Sequence, residues 1–474
     1  MPQDAPAPRP QVRPSEAGVS GAPRRPVSIL LRAIAVAVFV FPASMVIVPL
    51  GGIGYVSLIL ALVLCAVWVG SALLGLHDPI PIRHPARVAL GFILVVTCFS
   101  YGARALGLTG HRTMAGQAGA DRWLILLLAG IAVAMVTAEV VRTMDDALVL
   151  CRALLAGAFF CCVVALIQFA FRIDPMQWVQ IVMVGFTDNG GATAFQSRGL
   201  LMRVAGSTFH PIELGVVSAM LLPLSVWRAL YDPAGWKPFH WMGTLLLVFA
   251  VAASVSRSAV LGLLVAVVVA VPFLPSLART WAVIVVPFAV AALFVGVPGL
   301  IATLFGSITA GTSDPSISTR LDDYPQVEML VSQFPFTGSG PGTYLPTNAL
   351  EILDNQYLLS AVEMGLPGAV AVALYLTVPG VFALMAARCT AVPALRALAG
   401  AVAAAGLVAA VASATFDSFA FPVFSLLYPF FIGLSGAVWL AVKRERGMMP
   451  STRDEAFLPA TMPLEGSHGS RFCS

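Results

Sequence analysis

The sequence predicts an all-α polytopic membrane protein with about twelve transmembrane helices, both termini in the cytoplasm and two long segments on the opposite side. Three observations carry this expectation. Of 474 residues, 59% are hydrophobic and 11% charged, too few charges to cover a water-soluble domain of that size. Apolar runs long enough to cross a bilayer recur along most of the chain. The Arg and Lys residues between them fall mainly on one side.

Taken in order, the apolar runs lie at 28–49, 53–75, 86–105, 122–141, 147–171, 209–229, 240–256, 258–275, 279–301, 366–388, 396–416 and 420–441, which makes twelve. Residues 1–26, polar and Pro-rich, are expected to form a disordered cytoplasmic tail, 27–446 the transmembrane domain, and 447–474 a second cytoplasmic tail. With the N-terminus inside, fourteen cations fall on the cytoplasmic side (Arg24, Arg25, Arg83, Arg87, Arg142, Arg152, Arg228, Lys237, Arg279, Arg388, Arg396, Lys443, Arg444 and Arg446). Eight fall outside (Arg104, Arg112, Arg122, Arg172, Arg198, Arg203, Arg257 and Arg320), in accord with the positive-inside rule. The long external segments are 172–208 and 302–353. The second is acidic, with Asp314, Asp322, Asp323, Glu328 and Glu351 against Arg320.

The stretch Asp354–Gly368, DNQYLLSAVEMGLPG, returns the chain to the membrane. Pro367 lacks an amide proton, so the Glu363 carbonyl loses its helical partner, and Gly365 and Gly368 flank it. The expected arrangement is a short interfacial helix, a break at 365–368, then a spanning helix. Asp354 has two readings, a helix N-cap or a general base. Gln356, Ser360 and Glu363 share a helical face by their spacing.

Two short apolar runs flank SVSRSAVLG, so the turn carrying Arg257 is expected below the external membrane surface. An arginine at such depth is a functional candidate, although snorkelling or helix locking would also explain it. Arg203 lies just outside the next helix entry, His210-Pro211, and is suited either to holding an anion or to an ordinary lipid-headgroup contact. His210 and Glu213 are expected to cap that entry. Arg320 has carboxylates nearby in sequence that would pair with it. The glycines of FPFTGSGPGTY (334–344) follow no strand and lack a Walker lysine, so they suggest a tight loop and no nucleotide site.

Together these segments resemble the O-antigen ligase and polymerase superfamily. The ligase branch has a His, then Asn, Ser or Gln, nine residues, and Gly-x-x-Gly. Here Asp354-Asn355 is followed by nine residues and Gly365-Leu-Pro-Gly368. The external Arg257 turn, and Arg203 ahead of Pro211 and Gly215, match further marks of the family. The resemblance covers about 200–375. It implies metal-independent, inverting glycosyl transfer without a cofactor, from an undecaprenyl-diphosphate-linked oligosaccharide at the periplasmic face of the bacterial inner membrane. On that reading Arg203 and Arg257, with Arg320, hold the diphosphate, and Asp354 is the base with Glu363 next in line. Asn355, Gln356, Tyr357 and His210 contact the acceptor glycan. Asp in place of His points to an exopolysaccharide, capsule or O-antigen polymerase. A ligase acting on lipid A core or protein is the alternative, and a lipid-linked sugar flippase the second. Expected partners are membrane lipid and the chain-length regulator and flippase of the same pathway, with no nucleic acid.

Overall fold

The computed structural model describes residues 27–78, 83–110, 113–198, 201–284, 315–345 and 352–447; at 198, 201 and 315–323 it describes the backbone alone. Helices dominate. Eight are long and apolar enough to cross a membrane: Val56–Leu73, Ala86–Ala105, Met114–Val140, Met144–Phe171, Pro211–Tyr231, Gln356–Cys389, Pro393–Ala412 and Pro422–Glu445. Shorter apolar helices run over Ile29–Val40, Lys237–Ala253 and Arg257–Phe273. The chain is thus a multi-pass membrane protein. The run expected at 279–301 lies mostly outside the described residues, as do both expected tails.

Local chemistry explains the boundaries. Thr143 and Asp146 form a capping box at the start of helix 144–171. Prolines stand in the first turn of the helices beginning at 211, 237, 393 and 422, where a missing amide donor is harmless. Pro223, Pro379 and Pro429 lie inside helices, each freeing a carbonyl that a group from a neighbouring helix can satisfy. The Tyr428 hydroxyl does this for helix 356–389, donating to the carbonyls of Tyr375 at 3.1 Å and Leu376 at 2.7 Å.

Two expected span boundaries need correction. The run 28–49 is not one span: the helix ends at Val40, about 18 Å long at 1.5 Å per residue. Pro42 blocks its continuation, and Met45–Ile47 pairs with Phe186–Asp188 in an antiparallel ribbon. This ribbon and the hairpin of Phe195–Arg198 with Leu201–Val204 qualify the all-α expectation. Helix 114–140 starts eight residues before the expected 122, because its polar first turns carried no hydropathy signal. The long segment 302–353 contains a helix, Pro315–Gln333.

Helix 393–412, PALRALAGAVAAAGLVAAVA, packs against helices 356–389, 257–270, 211–231 and 422–445. Its small side chains permit close approach, the usual way membrane helices associate. At the crossing with helix 356–389, a Cβ on Gly406 would lie 2.7 Å from the Gly380 Cα. Gly406→Val is therefore expected to destabilise the bundle by about 1–3 kcal/mol through overpacking. Gly70→Val, where nothing lies within 4 Å of a Cβ, should leave the thermal midpoint in detergent near wild type. Equal midpoints for the two variants would refute the close crossing.

Candidate active site

The connection 413–421, between helices 393–412 and 422–445, joins the parts of one end of the bundle. Gln356 is fully buried. Its backbone N–H donates to the Ser413 carbonyl at 2.9 Å, and its side-chain oxygen accepts from the Phe419 N–H at 2.9 Å. Its amide nitrogen donates to Ser360 at 3.2 Å, so the expected polar stripe turns inward. Tyr357 donates its hydroxyl to the Ala410 carbonyl at 2.7 Å. The Thr415 and Ser258 hydroxyls are 2.7 Å apart, tying the same connection to the start of helix 257–270. Phe419 packs edge-on against Trp123 and Tyr375.

The cationic side is built on the turn 254–256. Val255 has φ 44°, which is strained for a β-branched residue. Two contacts hold the turn. The Arg203 Nε donates to the Ser254 carbonyl at 2.8 Å, and Gly215 lets helix 211–231 press against Ser254 and Ala259. Arg203 sits on the 195–204 hairpin opposite Gln196, which accepts from its Nη1 at 2.9 Å. It is nearly buried, so it fixes the turn as well as charging it. Arg257 is the first residue of its helix and half-buried, one residue from the Ser258–Thr415 contact.

His210 and Glu213 have structural duties. The His210 Nδ1 accepts from the Ile212 N–H at 3.1 Å and caps helix 211–231, which leaves Nε2 as the protonated nitrogen. Burial, aided by the charge of Arg203, lowers its pKa to about 4, so the ring is neutral at pH 7. Glu213 holds the start of its own helix, as expected, and caps a second helix as well. Its carboxylate accepts from the N–H groups of Val423 at 2.7 Å and Phe424 at 3.0 Å, and from Phe209 at 2.7 Å.

The carboxylate side begins at Asp354, which is exposed. The cap reading of Asp354 is corrected: Asn355 is the N-cap, its Oδ1 accepting from Tyr357 at 2.9 Å and Leu358 at 3.3 Å. In this stretch Asp354 is the acidic group that faces outward, while Gln356 and Tyr357 are engaged within the fold. The break falls at Gly365, with φ 70° and Phe336 backbone so near that a Cβ would collide. Glu363 lies behind the Gly-rich loop, 3% exposed, with Oε1 accepting from the Tyr344 N–H at 3.2 Å. That loop is anchored by Gly340 N–H on the Glu363 carbonyl at 2.8 Å and by the buried Arg104, whose Nη1 donates to Ser339 at 3.3 Å. The side chain of Arg320 lies outside the described residues.

The site contains an acid that the sequence reading passed over. Asp417 stands in the connection, within electrostatic reach of both Asp354 and Glu363. Burial pushes its carboxyl up to about 7, and the charge of Asp354 adds to the rise. The available signal was its isolation: no other Asp or Glu occurs between Glu363 and Glu445. What the geometry assembles is a cationic turn, an exposed carboxylate and a second carboxylate that titrates near neutrality.

Residues 242–373 match the family model described as O-antigen ligase. The matched segment includes Arg257, Asp354 and Glu363, while Arg203 precedes it and Asp417 follows it. No curated protein matches the chain.

A carboxyl whose pKa the fold raises favours folding when neutral. Its contribution is complete below the unfolded value of about 3.9 and is lost as pH rises through about 7. Thermal unfolding in detergent should therefore show a decline in stability between about pH 4 and pH 7 that Asp417→Asn flattens. An identical decline in the variant would remove Asp417 as its source.

Proposed function

We propose, from the O-antigen ligase match over residues 242–373 and its support for the O-antigen ligase and polymerase superfamily, that this protein is a polysaccharide polymerase. It joins undecaprenyl-diphosphate-linked repeat units at the periplasmic face of the inner membrane. The observation that carries the reading is the 413–421 connection. Through Thr415–Ser258 and Gln356–Phe419 it ties the Arg257 turn and the Asp354 helix start to one end of the bundle.

In the proposed reaction an acceptor sugar hydroxyl attacks the anomeric carbon of the donor. A new C–O bond forms with inversion as the bond to the diphosphate oxygen breaks. Undecaprenyl diphosphate leaves with the bonding pair, and the hydroxyl proton passes to a carboxylate. Charge grows on the leaving diphosphate, where Arg257 and Arg203 supply fixed positive charge. Asp354 is the base. An isolated Asp near 3.9 is a weak one, but a neighbouring carboxylate makes each more basic toward the first proton. Asp417, raised to about 7 by burial and by the charge of Asp354, is such a neighbouring carboxylate, and a group that titrates near the working pH is an efficient proton acceptor. Glu363, behind the Gly-rich loop, is the weaker candidate because substrate would have to displace that loop.

A ligase delivering a finished glycan to lipid A core or protein would use the same chemistry. A flippase would need polar groups distributed through the span, whereas the candidate residues gather at one end. Deletion of the gene, followed by sizing of lipid-linked and surface glycan, distinguishes the three. A polymerase leaves single repeat units on the lipid, a ligase leaves long chains there, and a flippase leaves units on the cytoplasmic side. The last outcome would overturn the reading.

Asp354→Ala and Arg257→Ala should each reduce product by at least about 100-fold while the protein still inserts and folds, the scale for losing a positioned base or a charge-stabilising group. Wild-type chain lengths in either variant would refute the assigned roles.

A further inference from the structure

The opposite end of the bundle carries a second feature, independent of the proposed reaction. Helix 29–40 ends near the candidate site, where the Ser207 hydroxyl donates to the Phe39 carbonyl at 2.5 Å. Its first turn therefore lies at the far end, beside the start of helix 144–171. The two helices meet closely at Gly157, where a Cβ would lie 3.0 Å from both the Phe39 ring and the Val36 carbonyl. Toward their starts lies a groove of about 520 Å³.

Ile29, Ala33 and Val36 form one wall at helical spacing, and Val149 and Ala153 line the other. Arg32 and Arg152 stand among these apolar residues. Arg152 gives Nε and Nη2 to Asp232 at 2.9 and 2.5 Å, and Asp145 is a further carboxylate within its electrostatic reach. Asp232 also accepts from Arg228 at 3.2 Å, so its negative charge is already shared between two arginines. The Nε of Arg32 is buried with no hydrogen-bond partner among the described residues. Such an N–H in a cavity wall is a donor awaiting an acceptor.

We infer that this groove binds an anionic phospholipid, with its phosphate on Arg32 beside Arg152 and an acyl chain along the apolar walls. A soluble anion would gain nothing from Ile29, Val36 and Val149. A peptide would bring backbone groups that these walls cannot satisfy. A lipid presents the matching order, with negative charge at the helix ends and hydrocarbon toward Gly157. The excess of Arg and Lys assigns this end to the cytoplasmic leaflet, where basic pockets between helices select anionic headgroups.

The test uses the full-length protein purified in mild detergent. Thermal unfolding is followed while phosphatidylglycerol or phosphatidylcholine is titrated in, and native mass spectrometry counts retained lipid. Phosphatidylglycerol should raise the midpoint saturably and phosphatidylcholine should not. Arg32→Gln should weaken phosphatidylglycerol retention about tenfold, the scale of one lost charged hydrogen bond. Arg32→Lys should recover part of it, and Arg279→Gln, at an exposed arginine, should match wild type. If Arg32→Gln fails to fold, the wild-type titration and Arg32→Lys still decide. Equal response to both lipids, full retention in Arg32→Gln, or preferential binding of undecaprenyl phosphate would each overturn the assignment.

Discussion

The candidate site depends on one buried amide. Gln356 is enclosed on all sides, and its oxygen, nitrogen and backbone N–H all find partners, two of them on the 413–421 connection. A buried polar group left unpaired is costly, about 1–3 kcal/mol for an ordinary donor or acceptor. The amide therefore fixes the register between the start of helix 356–389 and that connection. Asp354 precedes Gln356 by two residues and Asp417 precedes Phe419 by two, so one lock sets the positions of both carboxylates. Glu213 performs the equivalent task on the far side of the connection, holding the first N–H groups of helix 422–445.

The charges at this end have divided duties. Arg203 is anchored by protein oxygens and holds a strained turn, while Arg257 follows that turn and stands half-exposed. Among the acids, Glu363 orders the Gly-rich loop and Asp354 faces outward. Asp417 lies between them in exposure and titrates near neutrality. Groups serving the fold thus sit directly behind groups available to a substrate, which is the usual means of keeping a site preorganised.

Much of this was legible in the sequence because a bilayer imposes length and hydropathy on every span. The short runs around Arg257 and the break at Gly365 read correctly for that reason. The legible part ended where tertiary contacts replaced periodicity. Nothing local reveals that Glu213 caps a helix more than 200 residues away, or that Asn355 and not Asp354 is the cap, since both residue types are good caps. Asp417 escaped notice because a lone acid between two spans resembles an ordinary loop residue. Its meaning comes from burial and from the charge of Asp354, which only the fold brings within electrostatic reach.

The Gly-rich loop 338–344 has a mechanical consequence. Gly338 lies against the Glu363 backbone, Gly340 against Arg104 and Gly342 against Gly119, each with positive φ and no room for a side chain. It is bolted to three separate helices, at Glu363, Arg104 and Gly119. A wall held at so many points acts as a fixed jaw. Any yielding at this end of the bundle must therefore come from elements other than this loop, and the Glu363 carboxylate behind it keeps a constant position.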